Sequence, residues 1–472
     1  MRSQLRTKII ATIGPSTWYD KVLIEMIQSG FAAARVNASF ADFDEMERVA
    51  AQLRRLSPRV TLILDTMGHK IRVTGFDKDK KLTKGDEVVL ASEKYKVRGK
   101  NVVKVTYPKL ANDLTRGVKI LIDDGNISLE VKDIQSPKVI CTVLQGGTLK
   151  KRKTVNIPGV HLDFPNLSEK DEADIKSAIK LNYDVISASF VRNTEDVALI
   201  KKVIGDAGLK LIAKIEDYEG VKNFDEILES VDGIMIARGD LGVEIPPAEV
   251  PILQKTFIYK CRQAGKPVIV ATQMLESMRE NNRPTRAEVS DVSNAVMDGA
   301  DALMLSAETS TGKHPIEAVK MMADIAKEAE RVLIPQILTS RTNATESTDA
   351  ICRHVFQIAK ELNLAGIIVP SITGKTVASL ARHRLDIPIW AISNNPRLIR
   401  QLQLFRGVKG FYVQDFKHDR DAMIQQAVGI VYGNGNLNYD DNVAVVSGST
   451  ISGKHTNSIL EIVDVRRIIE VM

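Results

Sequence analysis

Residues 210–241 read KLIAKIEDYEGVKNFDEILESVDGIMIARGDL. An apolar run opens this stretch, a second one closes it, and a segment of helical length lies between them. This order is typical of two buried parallel β-strands joined by a helix. Each run ends in charged residues, with Lys214 and Glu216 in the first and Arg238 and Asp240 in the second. Since side chains alternate along a strand, we expect each pair to point to one side.

Runs of this kind recur along the chain, each followed by an amphipathic segment. The eight runs are 7–14, 33–39, 60–67, 185–191, 210–216, 233–241, 267–274 and 302–308. Eight strand–helix units close naturally into a (β/α)₈ barrel, in which the functional residues lie at the carboxyl ends of the strands. We therefore predict an α/β protein built on a TIM barrel.

The barrel leaves two further parts of the 472-residue chain to be placed. The segment between the third and fourth runs is too long for one helix, and its alternating runs and tight turns predict a small β domain that covers the barrel mouth as a lid. A polar stretch at 340–345 reads as a linker, and the remainder alternates strands and helices as a small doubly wound α/β domain does. We assign 1–68 and 164–340 to the barrel, 69–163 to the lid and 341–472 to the C-terminal domain.

Composition excludes several classes of protein. With 44% hydrophobic and 26% charged residues, the chain is globular, and its net charge of +6 is mild for its length. The basic run 150–153 lacks interleaved aromatic residues, so a solvated hairpin is favoured over a nucleic-acid site. Cys141, Cys261 and Cys352 are too dispersed for a disulfide framework or a zinc site. No run approaches the roughly 20 apolar residues of a membrane span, so we expect a cytoplasmic protein.

The strand-end residues indicate metal-assisted chemistry on a phosphorylated substrate. Glu216 and Asp240 are hard oxygen ligands of the kind that binds Mg²⁺ together with water and substrate phosphate. Lys214 and Arg35 supply the positive charge that phosphoryl transfer requires. A helix cap or salt bridge could explain any single one of these residues. It does not explain the set, because buried charges are costly unless they are paired or bind a ligand.

Nearly the whole chain resembles the pyruvate kinases. The matching segments are 8–16 (KIIATIGPS), 35–37 (RVN), 64–66 (LDT), 168–171 (SEKD), 213–216 (AKIE), 237–242 (ARGDLG), 271–278 (ATQMLESM) and 283–288 (RPTRAE). The resemblance implies transfer of the phosphoryl group of phosphoenolpyruvate to ADP, followed by protonation of the enolate to pyruvate, the final step of glycolysis. It further implies Mg²⁺ or Mn²⁺ as cofactor and a homotetramer.

The resemblance also implies a role for each strand-end residue. Lys214 would stabilise the transferring phosphoryl group, Glu216 and Asp240 would bind the metal, and Arg35 would hold the substrate phosphate. Thr272 would lie near the enolate carbon on the side of proton delivery. The substrate carboxylate would be received by the backbone of Ala237, Arg238 and Gly239.

Two more sets follow from the same resemblance. The nucleotide would be faced by Asn37, Arg72 and Lys170. The potassium ion of the family would be bound by Asn37, Ser39, Asp65 and Thr66.

The chain departs from the family pattern at residues 65–70, which read DTMGHK where the family usually reads DTKGPE. The Lys70 ammonium can replace the monovalent cation, and the family's potassium-independent members look like this, so we predict activity without K⁺. Met67 removes a positive charge, and Phe40-Ala41 replaces a His-Gly pair near the nucleotide. Drift at tolerant positions and a shifted nucleotide preference both remain open.

A loop in the C-terminal domain has the composition of a phosphate-binding turn. It follows a strand and opens a helix, and its candidate residues are Ser371, Thr373, Gly374, Lys375 and Thr376. It is not a Walker A loop, because Val369 stands where that motif needs Gly. The resemblance implies that a sugar-phosphate or nucleotide effector binds here. A simple turn with a helix cap is the alternative.

Two other functions compete with the kinase interpretation. One is a binding protein that kept the fold, suggested by Met67, Phe40 and Lys70, although the intact Lys214 and Thr272 argue against it. The other is a barrel lyase or aldolase that uses Mg²⁺ to stabilise an enolate. Such an enzyme would not need the lid or the 168–171 segment.

Overall fold

Eight parallel strands close into a barrel in the computed structural model, which describes residues 5–76, 78–99, 101–334, 338, 347–417, 419–451 and 454–471. The strands follow one another around the barrel in chain order, and the eighth pairs with the first. They are Lys8–Thr12, Phe31–Asn37, Thr61–Asp65, Val185–Ala188, Lys210–Ile215, Gly233–Ala237, Val268–Ala271 and Ala302–Leu305. Each overlaps one of the eight predicted runs, which confirms the predicted barrel.

Helices surround the strands. Their bounds are Asp20–Gln28, Phe43–Leu56, Glu169–Lys180, Thr194–Ile204, Tyr218–Lys222, Phe224–Ser230, Arg238–Glu244, Val250–Ala264, Arg286–Asp298, Ala307–Ser310 and Pro315–Val332. Asp42, Ser168, Asn193 and Thr285 each cap a helix by accepting the N–H of its third residue.

Inside the barrel, one buried apolar cluster takes side chains from every strand and is joined by Leu404 of the C-terminal domain. The interior is therefore a packed core.

The sixth strand is shorter than predicted and corrects one expectation. It ends at Ala237, and residues Arg238–Glu244 form a helix. Asp240 lies in the first turn of this helix, where its charge complements the helix dipole. The expectation that Arg238 and Asp240 point to one side of a strand is therefore wrong. For Lys214 and Glu216 it is right, since their charged groups lie 3.1 Å apart.

The inserted segment forms a second closed barrel of seven strands and a separate two-stranded sheet. The seven are Ile71–Thr74, Glu87–Ser92, Val102–Val105, Lys119–Ile122, Ile127–Gln135, Lys138–Gln145 and Thr154–Asn156. Lys80–Leu82 pairs with Gly147–Leu149 in the small sheet, and Leu110–Asp113 is a short helix. This part has its own buried apolar cluster, as expected of a separate domain. The predicted β lid is confirmed as a β-barrel.

The C-terminal domain is a five-stranded sheet with two apolar clusters. In spatial order its strands are Val408–Tyr412, Ile389–Ser393, Gly366–Pro370, Asn442–Ile451 and Lys454–Asp464, and only the last is antiparallel. Its helices are Ser347–Glu361, Lys375–Ala381, Pro396–Leu402, Arg420–Gly433 and Val465–Ile469. The α/β class is confirmed. The sequence predicts strands at 366–370, 388–392 and 443–446, and Val408–Tyr412 was not among them. The predicted linker at 340–345 lies outside the described residues.

Buried ion pairs join this domain to the amino-terminal end of the barrel. The Arg384 guanidinium makes two hydrogen bonds to Asp301, of 2.7 and 2.9 Å, and also donates to the Gly299 carbonyl oxygen. Arg400 pairs with Asp184 across the same boundary at 2.8 Å. The two bodies are thus connected by charged groups that are costly to separate once buried.

His383 lies in this boundary and is fully buried. Its Nδ1 accepts the backbone N–H of Leu338, and its Nε2 has no hydrogen-bond partner among the residues that the structure describes. Burial, followed by the positive charges of Arg382, Arg262, Arg353 and Arg384, lowers the pKa of His383 from 6.5 to about 3. The imidazole is therefore neutral in the folded protein near neutral pH.

We expect His383→Gln to reduce the acid sensitivity of folding. Because the folded pKa lies below the unfolded one, this histidine contributes stability above about pH 6.5 that is lost as pH falls toward 3, by on the order of 1 kcal/mol per pH unit. Thermal unfolding at pH 7.5 and pH 5.5 measures the effect. The melting temperature of the variant should fall less between the two pH values than that of the unchanged protein. An equal decrease in melting temperature for both proteins would show that His383 does not cause the acid sensitivity.

Candidate active site

A buried carboxylate, Asp65, lies at the centre of the carboxyl end of the barrel. It ends the third strand, and the Arg35 side chain reaches it from the second strand, where Arg35 lies two residues before Asn37, the register partner of Asp65. The Arg35 Nε donates to Asp65 Oδ2 at 2.7 Å, and its Nη2 makes a second contact with the same oxygen. The Arg35 Nη1 donates to Thr12 Oγ1 at 3.0 Å. Strands one, two and three are thus tied together through one guanidinium.

Lys214 approaches the same carboxylate from the fifth strand. Its Nζ lies 3.1 Å from Asp65 Oδ1, 3.1 Å from Glu216 Oε1 and 2.8 Å from Ser189 Oγ. The structure therefore brings together four of the predicted residues, Arg35, Asp65, Lys214 and Glu216. All four are at least nine-tenths buried.

The segment that follows the fourth strand was not assigned a role from the sequence. Ser189 accepts from Lys214, donates to the carbonyl oxygen of Thr66 at 2.6 Å, and its N–H donates to Thr66 Oγ1. The N–H of Phe190 donates to Glu216 Oε2 at 2.8 Å. A polar residue directly after a barrel strand was the available signal, and Ser189 meets that description.

Opposite charges decide the protonation of this cluster. Burial would raise the pKa of Asp65, but Arg35 and Lys214 outweigh it and hold that pKa below its usual value. Burial would lower the pKa of Lys214, but Asp65 and Glu216 outweigh it and raise that pKa. Burial raises the pKa of Glu216 against the attraction of Lys214. The cluster thus holds a charged lysine and a charged aspartate in a water-poor site.

Asp240 lies at the start of the helix that follows the sixth strand. Its Oδ1 accepts from the Lys70 ammonium at 2.8 Å, and the same ammonium lies 5.2 Å from the centre of the Phe190 ring. Lys70 comes from the segment that enters the lid, so this ion pair links lid and barrel. The sequence had assigned both residues to the site but had not paired them.

Thr272 follows the seventh strand in a left-handed backbone conformation, with φ +71°. Its hydroxyl donates to the Ala271 carbonyl oxygen at 2.6 Å and accepts the N–H of Gly239 at 2.7 Å. A Cβ added to Gly239 would stand 3.2 Å from the Thr272 hydroxyl, so glycine allows this close approach. The hydroxyl and the backbone predicted to receive the substrate carboxylate are therefore adjacent.

The residues predicted for the nucleotide and the cation are more dispersed. The Asn37 side chain accepts the N–H of Ser39, which shapes the turn after the second strand. Arg72 donates to the Arg152 carbonyl oxygen within the lid. Lys170 pairs with Asp174 on its own helix. These contacts bring neither Arg72 nor Lys170 to Asn37.

A cavity of about 310 Å³ separates the lid from the barrel mouth. Lys70, Phe190 and Asp240 line it at the inner end, and Asn156 of the lid faces Glu244 of the barrel, with a hydrogen bond of 2.8 Å between them. Burial, opposed by the Asn156 hydrogen bond, raises the pKa of Glu244 to about 7. The lid is therefore attached to the barrel along one side of an opening that leads to Asp240.

The donor set at this mouth suits a hard divalent metal ion. Glu216 Oε1 is buried, and within the described part of the chain its one polar contact is the ion pair with Lys214 at 3.1 Å; Asp240 is close enough to raise the pKa of Glu216. Among the described residues, no three His, Cys, Asp or Glu side chains gather to hold a metal by themselves. Two carboxylates completed by water and substrate oxygens match the way proteins bind Mg²⁺.

The fold and this site define an α/β-barrel enzyme with an inserted β-barrel and a C-terminal α/β domain. A sequence model described as "Pyruvate kinase, barrel domain" matches residues 4–319, and one described as "Pyruvate kinase, alpha/beta domain" matches 349–463. The chain is 42% identical to the pyruvate kinase of Geobacillus stearothermophilus, over 97% of this chain and 80% of that protein. It is 40% identical to the pyruvate kinase of Eimeria tenella, over 94% and 86%.

The chain belongs to the pyruvate kinase family. It is accordingly a phosphotransferase of glycolysis with phosphoenolpyruvate and ADP as substrates, and it depends on a divalent metal ion. The competing interpretations as a binding protein or a barrel lyase are set aside by this membership. No helix among the described residues is long and apolar enough to cross a membrane.

Proposed function

We propose that the Asp65-centred cluster carries out the phosphoryl transfer. In this proposal Arg35 and Lys214 hold the phosphate of phosphoenolpyruvate, and Glu216 and Asp240 bind the metal, which we take to be Mg²⁺ with Mn²⁺ as a substitute. The observation that carries the proposal is the Lys214 ammonium, buried within 3.1 Å of both Asp65 and Glu216. A fixed cation at this position needs no reorganisation when negative charge develops on the transferring group.

The chain's own groups determine how the phosphoryl group is held. Lys214 stays protonated because its two carboxylate neighbours raise its pKa, so it can stabilise the equatorial oxygens throughout the transfer. Arg35 is fixed by Asp65 and Thr12 and can orient the phosphate with its remaining N–H groups. The bound metal supplies Lewis-acid polarisation of phosphoryl oxygens.

A second group of residues, around Thr272, is proposed to serve proton delivery. We propose that Thr272 stands next to the enolate carbon and that the backbone of Ala237, Arg238 and Gly239 receives the substrate carboxylate. The Thr272 hydroxyl accepts the N–H of Gly239 and donates to Ala271, so its direction is fixed before substrate binds. Fixed orientation of this kind lowers the entropic cost of reaching the transition state.

We further propose that Lys70 makes the enzyme independent of K⁺. Its ammonium is held beside Asp240, so it brings a permanent monovalent charge to the mouth of the site. In this proposal Asn37, Ser39, Asp65 and Thr66 surround the place that the cation would take. In the same proposal Asn37, Arg72 and Lys170 would face the nucleotide.

Other expectations stay predictions. These are the homotetramer, the cytoplasmic location, the stated domain limits and an effector at the loop of Ser371, Thr373, Gly374, Lys375 and Thr376. In that loop the Ser371 hydroxyl accepts the N–H of Gly374, which is what the simple turn also predicts. Thr373 and Lys375 are exposed.

We expect Lys214→Met to abolish phosphoryl transfer and to leave part of the enolate chemistry. The neutral side chain cannot stabilise the transferring group, and kcat should fall by at least about 100-fold, as for the loss of other fixed charge stabilisers. Pyruvate formation measures the transfer, and loss of the methyl proton signal of pyruvate in D₂O measures the enolate step.

Lys210→Met is the matched control. Lys210 lies at the other end of the same strand, in a partly exposed pair with Asp232. This control should keep both activities. Equal loss of transfer and exchange in Lys214→Met would contradict the role assigned to Lys214.

We expect Lys70→Glu to make activity respond to K⁺. The substitution removes the internal cation and adds a carboxylate beside Asp240, so an external monovalent ion becomes necessary. Initial rates are measured with 0 and about 100 mM KCl at constant ionic strength, since screening also depends on salt. Lys81→Glu, on the exposed two-stranded sheet of the lid, makes the same charge change away from the site. If K⁺ raises the initial rate of Lys70→Glu no more than that of Lys81→Glu, this explanation of Lys70 is wrong.

A further inference from the structure

Asp291 lies outside the ring of strand-end residues but contacts one of them. It is on the helix Arg286–Asp298, and its two carboxylate oxygens accept from both terminal nitrogens of Arg238, each at 2.7 Å. The Arg238 side chain is only 10% exposed, whereas that of Asp291 is 37% exposed. This two-bond arrangement fixes the plane as well as the position of the guanidinium.

The same guanidinium holds the backbone of Thr272. The Arg238 Nη2, which contacts Asp291, also donates to the Thr272 carbonyl oxygen at 2.9 Å. The Arg238 Nη1 reaches Gln254 at 3.3 Å. Arg238 therefore connects four parts of the barrel: its own helix after the sixth strand, the loop after the seventh strand, the helix that carries Gln254 and the helix that carries Asp291.

The backbone at this place is strained. Thr272 and Gln273 both have positive φ, of 71° and 55°, and a β-branched residue in this region is a genuine outlier. Such a conformation is unfavourable in itself and persists only where the surroundings hold it. The contacts that hold Thr272 are the Arg238 bond to its carbonyl oxygen and the Gly239 and Ala271 bonds to its hydroxyl.

We propose that Asp291 is a positioning residue for Thr272, which it reaches through Arg238. The inference rests on the proton-delivery role proposed above for Thr272. Asp291 aligns the guanidinium, the guanidinium holds the carbonyl oxygen of Thr272, and the strained backbone keeps the hydroxyl toward Gly239. Without the Asp291 charge, the plane of the Arg238 guanidinium is no longer fixed, and Thr272 can relax out of the left-handed region.

Asp291→Asn tests this connection because it keeps the shape of the side chain and removes its charge. The amide can accept only one of the two Arg238 bonds, and its NH₂ group faces the second N–H. We expect kcat and the exchange of pyruvate methyl protons in D₂O to fall by about 10- to 100-fold, the range for displaced reacting groups, while the KM for phosphoenolpyruvate changes less than about 3-fold. Glu280→Gln, which removes an exposed charge paired with Lys313, is the control and should leave both rates unchanged.

The connection to Thr272 is measured by a double-mutant cycle. Asp291→Asn in a Thr272→Ala background should cause less than about 2-fold further loss, because the group that Asp291 positions is already gone. Losses that multiply would show that Asp291 acts elsewhere and would overturn the inference.

The single variants separate this inference from the proposal on which it rests. If Thr272→Ala keeps full proton exchange, the role of Thr272 is wrong. If Thr272→Ala loses exchange but Asp291→Asn keeps it, that role survives and the positioning inference fails. Should Asp291→Asn not fold, Arg238→Lys replaces it, because an ammonium cannot make the two-bond contact with Asp291 while holding Thr272. That variant is expected to show the same split between kcat and KM, and unchanged kinetics would overturn the inference.

Discussion

The pairing of the Asp65 carboxylate with two cations is the interaction on which the barrel mouth depends. An isolated carboxylate buried this deeply would be costly, and Arg35 and Lys214 offset that cost from two different strands. Each cation in turn needs the carboxylate, because burial alone would lower the pKa of Lys214. The three charges therefore stabilise one another, and removing any one leaves the others unmatched.

Further contacts extend outward from this triad. Lys214 reaches Glu216 and Ser189, and Ser189 joins Thr66, so strands three, four and five are held in register at their carboxyl ends. These residues sit on or directly after rigid strands, where side chains are held more closely than on free loops. The opposite side, around Thr272, depends instead on a strained loop and on the Arg238 guanidinium. The residues proposed for phosphoryl transfer are thus held by rigid strands, whereas those proposed for proton delivery are held by a strained loop and one guanidinium.

The sequence predicted the barrel well because parallel strands buried on both faces leave a repeated apolar signal. Arg35, Lys214 and Glu216 were predicted as site residues because charges at strand ends stand out against that signal, and the structure brings these three together. The sequence could not pair Lys70 with Asp240, because their contact depends on how the lid lies on the barrel and not on local pattern. It missed the helix at Arg238 because a polar strand end and a first helical turn look alike, and it missed the strand Val408–Tyr412 because Gly410 and Lys409 interrupt the apolar run.

The most direct test of the central claim is pyruvate formation from phosphoenolpyruvate and ADP by an Asp65→Asn variant, at saturating Mg²⁺. The change keeps the size of the side chain and removes the charge that Arg35 and Lys214 share. With a fold intact by circular dichroism, we expect kcat to fall by more than about 100-fold, because the two cations then repel each other where the phosphate must bind. Activity within about 2-fold of the unchanged protein would contradict the account, since optimal placement of both cations would then not require Asp65.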